Sequence, residues 1–223
     1  AFLSAGPKIA AFLVLMRLLH TPFAALQVEW SQILIVLAVL TMGVGAYMAI
    51  VQTNVKRLLA YSAIGHVGFM LVGIVAGTAQ GIQAVLVYLA IYSIMTLGTF
   101  GLLLMLRRKG VFLETFEDFS GLAQRTPNYA FMLMVLLFSI AGIPPLSGFF
   151  AKFYVFSAAV EAGFVWLAVV GVLFSVVAAY YVLRLVKTIY FDAAVSGKLD
   201  SDASFSLKSV VGLSVAFTVG FVF

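Results

Sequence analysis

Apolar residues run along this chain in long unbroken blocks, and the polar residues fall into short gaps between them. A bilayer core about 30 Å thick needs about 20 apolar residues per helix. By that measure the pattern predicts seven segments, at about 2–19, 31–51, 57–77, 81–106, 128–160, 163–188 and 206–223. The blocks do not alternate with period two, which points to helices rather than a membrane β-barrel. The expected fold is therefore all-α, a polytopic transmembrane bundle in one transmembrane domain spanning 1–223.

The fifth segment is the irregular one. As a single rod it would run about 50 Å at about 1.5 Å per residue. Pro144 and Pro145 remove two amide donors, and Gly142 and Gly148 loosen the backbone on either side. Two half-helices with a break near 143–147 fit better than one helix.

Composition agrees with the pattern. The chain is 64% hydrophobic and 9% charged, with a mean hydropathy of +1.18; soluble domains are about 25% charged. It has no cysteine, which removes thiolate metal sites and iron–sulfur ligation by this chain. His20 and His66 are too few and too far apart to suggest a metal site. No cleavable signal peptide is visible. The chain opens on Ala1 directly before an apolar segment and reads as a piece of a longer polypeptide.

The net charge of +5 is not a nucleic-acid signal. Lys56, Arg57, Arg107, Arg108, Lys109, Arg125, Lys187, Lys198 and Lys208 are read into the loops after segments two, four and six. The loops after segments one, three and five hold no lysine or arginine, and Arg17 lies at the end of segment one. This bias places the first residue on the cytoplasmic (or matrix) side and the last on the opposite side. The longest polar connection, 107–127, carries Glu114, Glu117, Asp118 and Arg125 and reads as a solvated loop or a docking surface. The connection 189–205, with Asp192, Lys198, Asp200 and Asp202, reads as flexible.

A few polar groups sit at membrane depth. Lys152 is the lone charge between Pro127 and Val160, beside the double proline. A lysine there costs about 2.5–3.5 kcal/mol on insertion scales and usually serves a function. Burial disfavours its ammonium form and a nearby carboxylate restores it, so such a lysine can be switched by moving a partner charge or admitting water. No Asp or Glu lies well inside a segment: Glu161 closes segment five, and Glu29 is read into a loop. Lys8 is either a second buried charge or a lysine snorkelling to the interface. His66 could relay protons or simply bond a neighbouring helix, with Tyr61 and Ser62 on its face. Tyr88, Tyr92, Thr96 and Thr99 form one stripe on segment four, suited to a hydrated path or to interhelical hydrogen bonds. Ser139 and Ser147 flank the break. Lys56 and Arg57 end a short polar hinge, Gln52–Arg57.

Two strings carry a resemblance. Gln52-Thr-Asn-Val-Lys-Arg-Leu-Leu-Ala-Tyr-Ser-Ala-Ile-Gly-His-Val-Gly-Phe69 resembles the signature of the antiporter-like, proton-translocating membrane subunits of respiratory complex I. The run Ala141-Gly-Ile-Pro-Pro-Leu-Ser-Gly-Phe-Phe-Ala-Lys-Phe-Tyr-Val-Phe156 is similar to the N subunits in particular, as is the opening Ser4–Phe12. The resemblance covers nearly the whole chain, most weakly beyond about residue 192.

It implies two inverted five-helix repeats, with segments two to six as the second repeat and segment five as its broken helix. It also implies roles. Lys8 would be the central-axis lysine, Lys152 the distal lysine and His66 a member of the hydrated axis between them. A glutamate–lysine pair would lie in the missing N-terminal half. NAD, FMN, iron–sulfur clusters and quinone would be bound by other subunits, the partners being other complex I membrane subunits and lipid in a hetero-oligomer. The location would be the bacterial inner membrane, or the mitochondrial inner membrane if organellar. The M subunits typically carry glutamate where this chain has Lys152, and the L subunits end in a long lateral helix. A membrane subunit of a multisubunit cation/proton antiporter shares the broken-helix lysine and is the main rival, ahead of a purely structural subunit.

Overall fold

The computed structural model describes residues 2–108, 110–195, 199–200 and 204–221, and the side chains from Gly6 onward within those ranges. Lys109, Lys198 and Asp202, and the last two residues of the seventh predicted segment, lie outside them. Among the described residues the regular structure is helical except for one hairpin of two-residue strands.

Helix α1 (Phe2–His20) is followed by a 3-10 turn at Ala24–Leu26 and then by α2 (Gln27–Ile50). Next come α3 (Val55–Val75) and α4 (Ala79–Met105). Their starts are set by side chains: Asn54 accepts from the Arg57 amide and Thr78 from the Gly81 amide, satisfying orphan N–H groups of the first turn. Strands β1 (Arg107–Arg108) and β2 (Val111–Phe112) pair antiparallel. Short helices α5 (Phe116–Phe119) and α6 (Leu122–Arg125) lead into α7 (Pro127–Ala141). Then follow α8 (Ser147–Glu161), α9 (Val165–Phe191) and α10 (Phe205–Gly220). Among the described residues four helical stretches, Ala24–Ile50, Val55–Val75, Ala79–Met105 and Val165–Phe191, are long and apolar enough to cross a membrane.

The fifth apolar segment is split as its prolines require. α7 ends on Gly142, whose φ of +85° favours glycine, and α8 begins at Ser147.

Helices α3, α4, α7 and α8 form the middle of the bundle. α2 lies along α3, α9 against α7, α2 and α8, α10 against α4, and α1 against α4. The α2–α3 contact is close because it is built from glycines. A Cβ on Gly45 would stand 2.6 Å from the Gly65 amide nitrogen, and one on Gly68 would stand 2.9 Å from the Ala38 carbonyl. Small residues at such seams let helix backbones approach in an apolar solvent. The outer faces are also apolar, with Ile33, Val36, Leu40 and Tyr47 on α2 and Val172, Leu173, Val176 and Tyr180 on α9 exposed. Helices apolar on both the inner and outer faces belong in lipid or against other membrane helices.

The connection 107–126 is folded, not a loose polar loop. Lys56 pairs with Glu114 at 2.7 Å and Arg108 with Asp118 at 3.0 Å. The Phe116 amide donates to the Thr53 carbonyl, and the Gly121 amide to the Thr188 carbonyl. Arg184 of α9 donates to the Ile50 carbonyl at 2.9 Å and lies over the Phe116 ring. One end of the bundle is thus closed by contacts among α2, α3, α9 and this connection. Several sequence placements are corrected. Lys56 and Arg57 are in the first turn of α3, capped by Asn54, and not in the loop before it. Glu29 is in the first turn of α2 and not in a loop, because α2 starts earlier than the apolar block. Lys187 is on α9, which continues past the apolar pattern to Phe191. Lys208 is inside the first turn of α10, capped by Ser204.

Candidate functional site: buried lysines and the helix break

The break in the fifth segment shapes the site. α7 stops at Ala141, so its last carbonyls have no partner within the helix. Lys152, five residues into α8, is 4% exposed. Its ammonium donates to the Ala141 carbonyl oxygen at 2.7 Å and to Ser175 Oγ of α9 at 2.9 Å. The negative end of the α7 dipole therefore faces the ammonium where a carboxylate would otherwise be needed. The Phe69 ring of α3 lies under the charge, 4.9 Å from Nζ to centroid.

Ser139 joins the two half-helices. Its Oγ accepts from the Gly148 amide at 3.0 Å, lies 3.3 Å from Ser147 Oγ and donates to Met95 Sδ. A Cβ on Gly148 would collide with the Ser139 carbonyl, so glycine is needed at this crossing.

His66 is buried on α3, with Nδ1 2.8 Å from the Tyr88 hydroxyl. Its ring also contacts Tyr92 at 5.0 Å and Phe69 at 6.0 Å between centroids. Lys8 Nζ donates to the Tyr92 hydroxyl at 3.1 Å. Lys8, Tyr92, His66, Phe69 and Lys152 thus follow one another in contact across α1, α4, α3 and α8. A small cavity of about 20 Å³ beside His66 is lined by Ser62, Tyr92, Thr96 and Thr99 among others, room for about one water.

The sequence-chosen residues divide accordingly. Lys8, His66, Ser62, Tyr88, Tyr92 and Thr96 share the His66 region, while Lys152, Ser139, Ser147, Gly142 and Gly148 gather at the break. Pro144 and Pro145, joined by a cis peptide, form the linker, and Pro144 lines the groove beside Lys152. Thr99 returns its hydroxyl to the Met95 carbonyl. Tyr61 does not line the cavity; it is half-buried against the core, one position off the Ser62–His66 face. Four groups were missed: the Ala141 carbonyl, Phe69, Ser175 and Tyr181, whose hydroxyl donates to Ser62 Oγ at 2.9 Å. Ser175 had a signal, being the one serine in an α9 made largely of Val, Leu and Ala. Among the described residues no cluster of three or more His, Cys, Asp or Glu could hold a metal ion.

Residues 1–178 match the family described as NADH:quinone oxidoreductase/Mrp antiporter, transmembrane. The chain belongs to this family. Within this NADH:quinone oxidoreductase/Mrp antiporter family it is similar to an NADH-quinone oxidoreductase subunit N from Paramagnetospirillum magneticum, 48% identical over 99% of this chain and 45% of that one. A subunit N from Beijerinckia indica is 54% identical over 86% of this chain and 40% of the relative. The chain thus spans less than half the length of these relatives. Among solved structures it resembles a chain of respiratory complex I from Thermus thermophilus with bound aureothin. There the TM-score is 0.74 at 28% identity, over 85% of this chain and 43% of that one.

Proposed function

We propose that this chain is part of a subunit N of NADH:quinone oxidoreductase and that it moves protons through Lys152, His66 and Lys8. The observation that carries the reading is Lys152, a buried charge at a helix break with a carbonyl and a hydroxyl as its hydrogen-bond partners. The subunit N relatives support the complex, and the family supports a membrane translocation role. Their names also favour complex I over the cation/proton antiporter branch that the family includes.

In this reading Lys152 alternates between ammonium and amine. Lys8, Tyr92, His66 and Tyr88 provide hydrogen-bonding groups on one side of it. The groove between α8 and α9, largely apolar but lined also by Ser157 and Glu161, opens on the other. Lys152 and His66 share no hydrogen bond but both touch Phe69, so transfer between them needs water or a side-chain movement. Redox chemistry with NAD, FMN, iron–sulfur clusters and quinone takes place in other subunits and supplies the driving force. The chain works in a hetero-oligomer with other complex I membrane subunits and lipid in a bacterial inner membrane. Its basic end, with Lys56, Arg108, Arg125 and Arg184, faces the cytoplasm.

The test is Lys152→Met in the full-length subunit, assembled into the complex in inverted membrane vesicles. NADH-driven acidification should fall while the assembled complex persists. Undiminished acidification per NADH oxidised would remove Lys152 from the proton path and sink the reading.

A further inference from the structure

Ser175, like Ser62 and Ser139, bonds across helices, unlike most hydroxyls of this bundle. Thr41, Ser93, Thr99, Thr188, Ser214 and Thr218 each donate to the carbonyl four residues earlier on their own helix. That return bond is the ordinary fate of a hydroxyl in an apolar helix. Ser175 instead reaches across to α8, where its Oγ lies 2.9 Å from Lys152 Nζ.

Its place on α9 makes that reach possible. Ala168, Gly171, Ser175 and Ala178 form a stripe of small residues, and a Cβ on Gly171 would stand 2.5 Å from the Phe156 ring of α8. The stripe keeps α8 and α9 close, and its one hydroxyl is level with Lys152. If packing alone had chosen the residue, alanine or glycine would serve. The ammonium has three hydrogens; the Ala141 carbonyl takes one and Ser175 Oγ another. Ser175 also lines the groove of 710 Å³ between α8 and α9, so its hydroxyl lies where the buried charge meets that groove.

We propose that Ser175 is the positioning residue of Lys152: with the Ala141 carbonyl, its hydroxyl holds the ammonium toward the α8–α9 groove. The inference rests on the proposed role of Lys152 in proton transfer. Without the hydroxyl the ammonium keeps a single hydrogen-bond acceptor and is free to swing away from the groove, and the proton-transfer geometry is lost while the fold stays.

The decisive comparison is Ser175→Thr against Ser175→Val in the full-length subunit, within the assembled complex in inverted vesicles. The two side chains have the same shape and differ in the hydroxyl. Ser175→Ala serves as the hydroxyl-free variant should the added methyls of valine block assembly. The readout is protons moved per NADH oxidised, with assembly checked on native gels. Threonine should keep near-normal pumping. Valine or alanine should lower it by about tenfold, the size of effect expected from one hydrogen bond to a charged group, with assembly intact. Equal pumping by the threonine and hydroxyl-free variants would overturn the proposal. Lys152→Met run alongside separates the two failures. If Lys152→Met abolishes pumping while valine and threonine match, only the role of Ser175 is lost. If Lys152→Met itself pumps normally, the underlying reading falls with it.

Discussion

Lys152 Nζ and the Ala141 carbonyl lie 2.7 Å apart across the break that separates α7 from α8. The break that frees a carbonyl also places a lysine to use it. A buried charge needs a partner, and here a half-helix terminus serves where, among the described residues, no carboxylate bonds Lys152.

Gly142 is the tightest point of this arrangement. Its φ is +85°, and a Cβ there would stand 2.9 Å from Lys152 Cδ and 3.1 Å from Nζ. Gly142→Ala should cost about 1–2 kcal/mol from the left-handed backbone alone, and should also push Lys152 off the Ala141 carbonyl. Thermal unfolding of the purified complex and vesicle acidification should therefore both drop. A fully stable, fully active variant would show that the break tolerates a side chain.

Ser139 caps the start of α8 through the Gly148 amide. Ser139→Ala removes that acceptor at a fully buried position and should destabilise by about 1 kcal/mol, in the range of lost N-caps. Ser139→Thr keeps the hydroxyl but adds a methyl against Met95, so alanine is the cleaner probe. Denaturation midpoints in mild detergent would read the change.

His66 and Tyr88 are each other's partner in a buried setting, Nδ1 to hydroxyl at 2.8 Å. Removing one leaves the other unsatisfied, at about 1–3 kcal/mol. Single His66→Phe and Tyr88→Phe variants should each cost more than half of what the double variant costs. A double-mutant cycle should give a coupling of about 0.5–3 kcal/mol; strict additivity would mean the contact is not energetically used.

The connection 107–126 should loosen in acid. The Lys56 hydrogen bond holds the Glu114 carboxyl below its usual range. Burial alone would raise Asp118, but the Thr115 amide and hydroxyl, the Glu114 amide and Arg108 together hold it below its usual value. Carboxyls depressed in the folded state lend stability above their unfolded values, about 3.9 for Asp and 4.3 for Glu, and lose it as pH falls through the lower folded values. Amide hydrogen exchange at 113–121, corrected for intrinsic rate, should be slow at neutral pH and accelerate below about pH 4. Exchange independent of pH would indicate that the helices, and not these pairs, hold the connection in place.

The fold was legible because a bilayer leaves little choice. Apolar blocks of bilayer length must be helices, since lipid offers nothing to a free N–H or C=O. Pro144 and Pro145 forced the split for the same reason, as they cannot donate within a helix. Element ends were less legible. α2 starts at Gln27 and α9 runs to Phe191 because helices continue into the interface, where hydropathy no longer marks them. That is why Glu29 and Lys187 were read as loop residues. The 107–126 connection looked merely polar, because its order comes from pairs such as Lys56–Glu114, 58 residues apart.

At the site, the sequence by itself picked out Lys8, His66 and Lys152, because charge and imidazole at membrane depth are costly and therefore conspicuous. It also determined that segment five must break beside Lys152. Only the tertiary structure decided what surrounds them. A backbone carbonyl has no letter of its own, so Ala141 could not be read as an acceptor. A serine in an apolar helix usually satisfies itself, so Ser175, though the one serine of α9, could not be paired with Lys152 until α9 was packed on α8. Which face Tyr61 turns, and that Phe69 touches both His66 and Lys152, depend on how α3 is rotated between α2, α4 and α8. Helix rotation is set by the fit of all the faces at once, and no single segment encodes it.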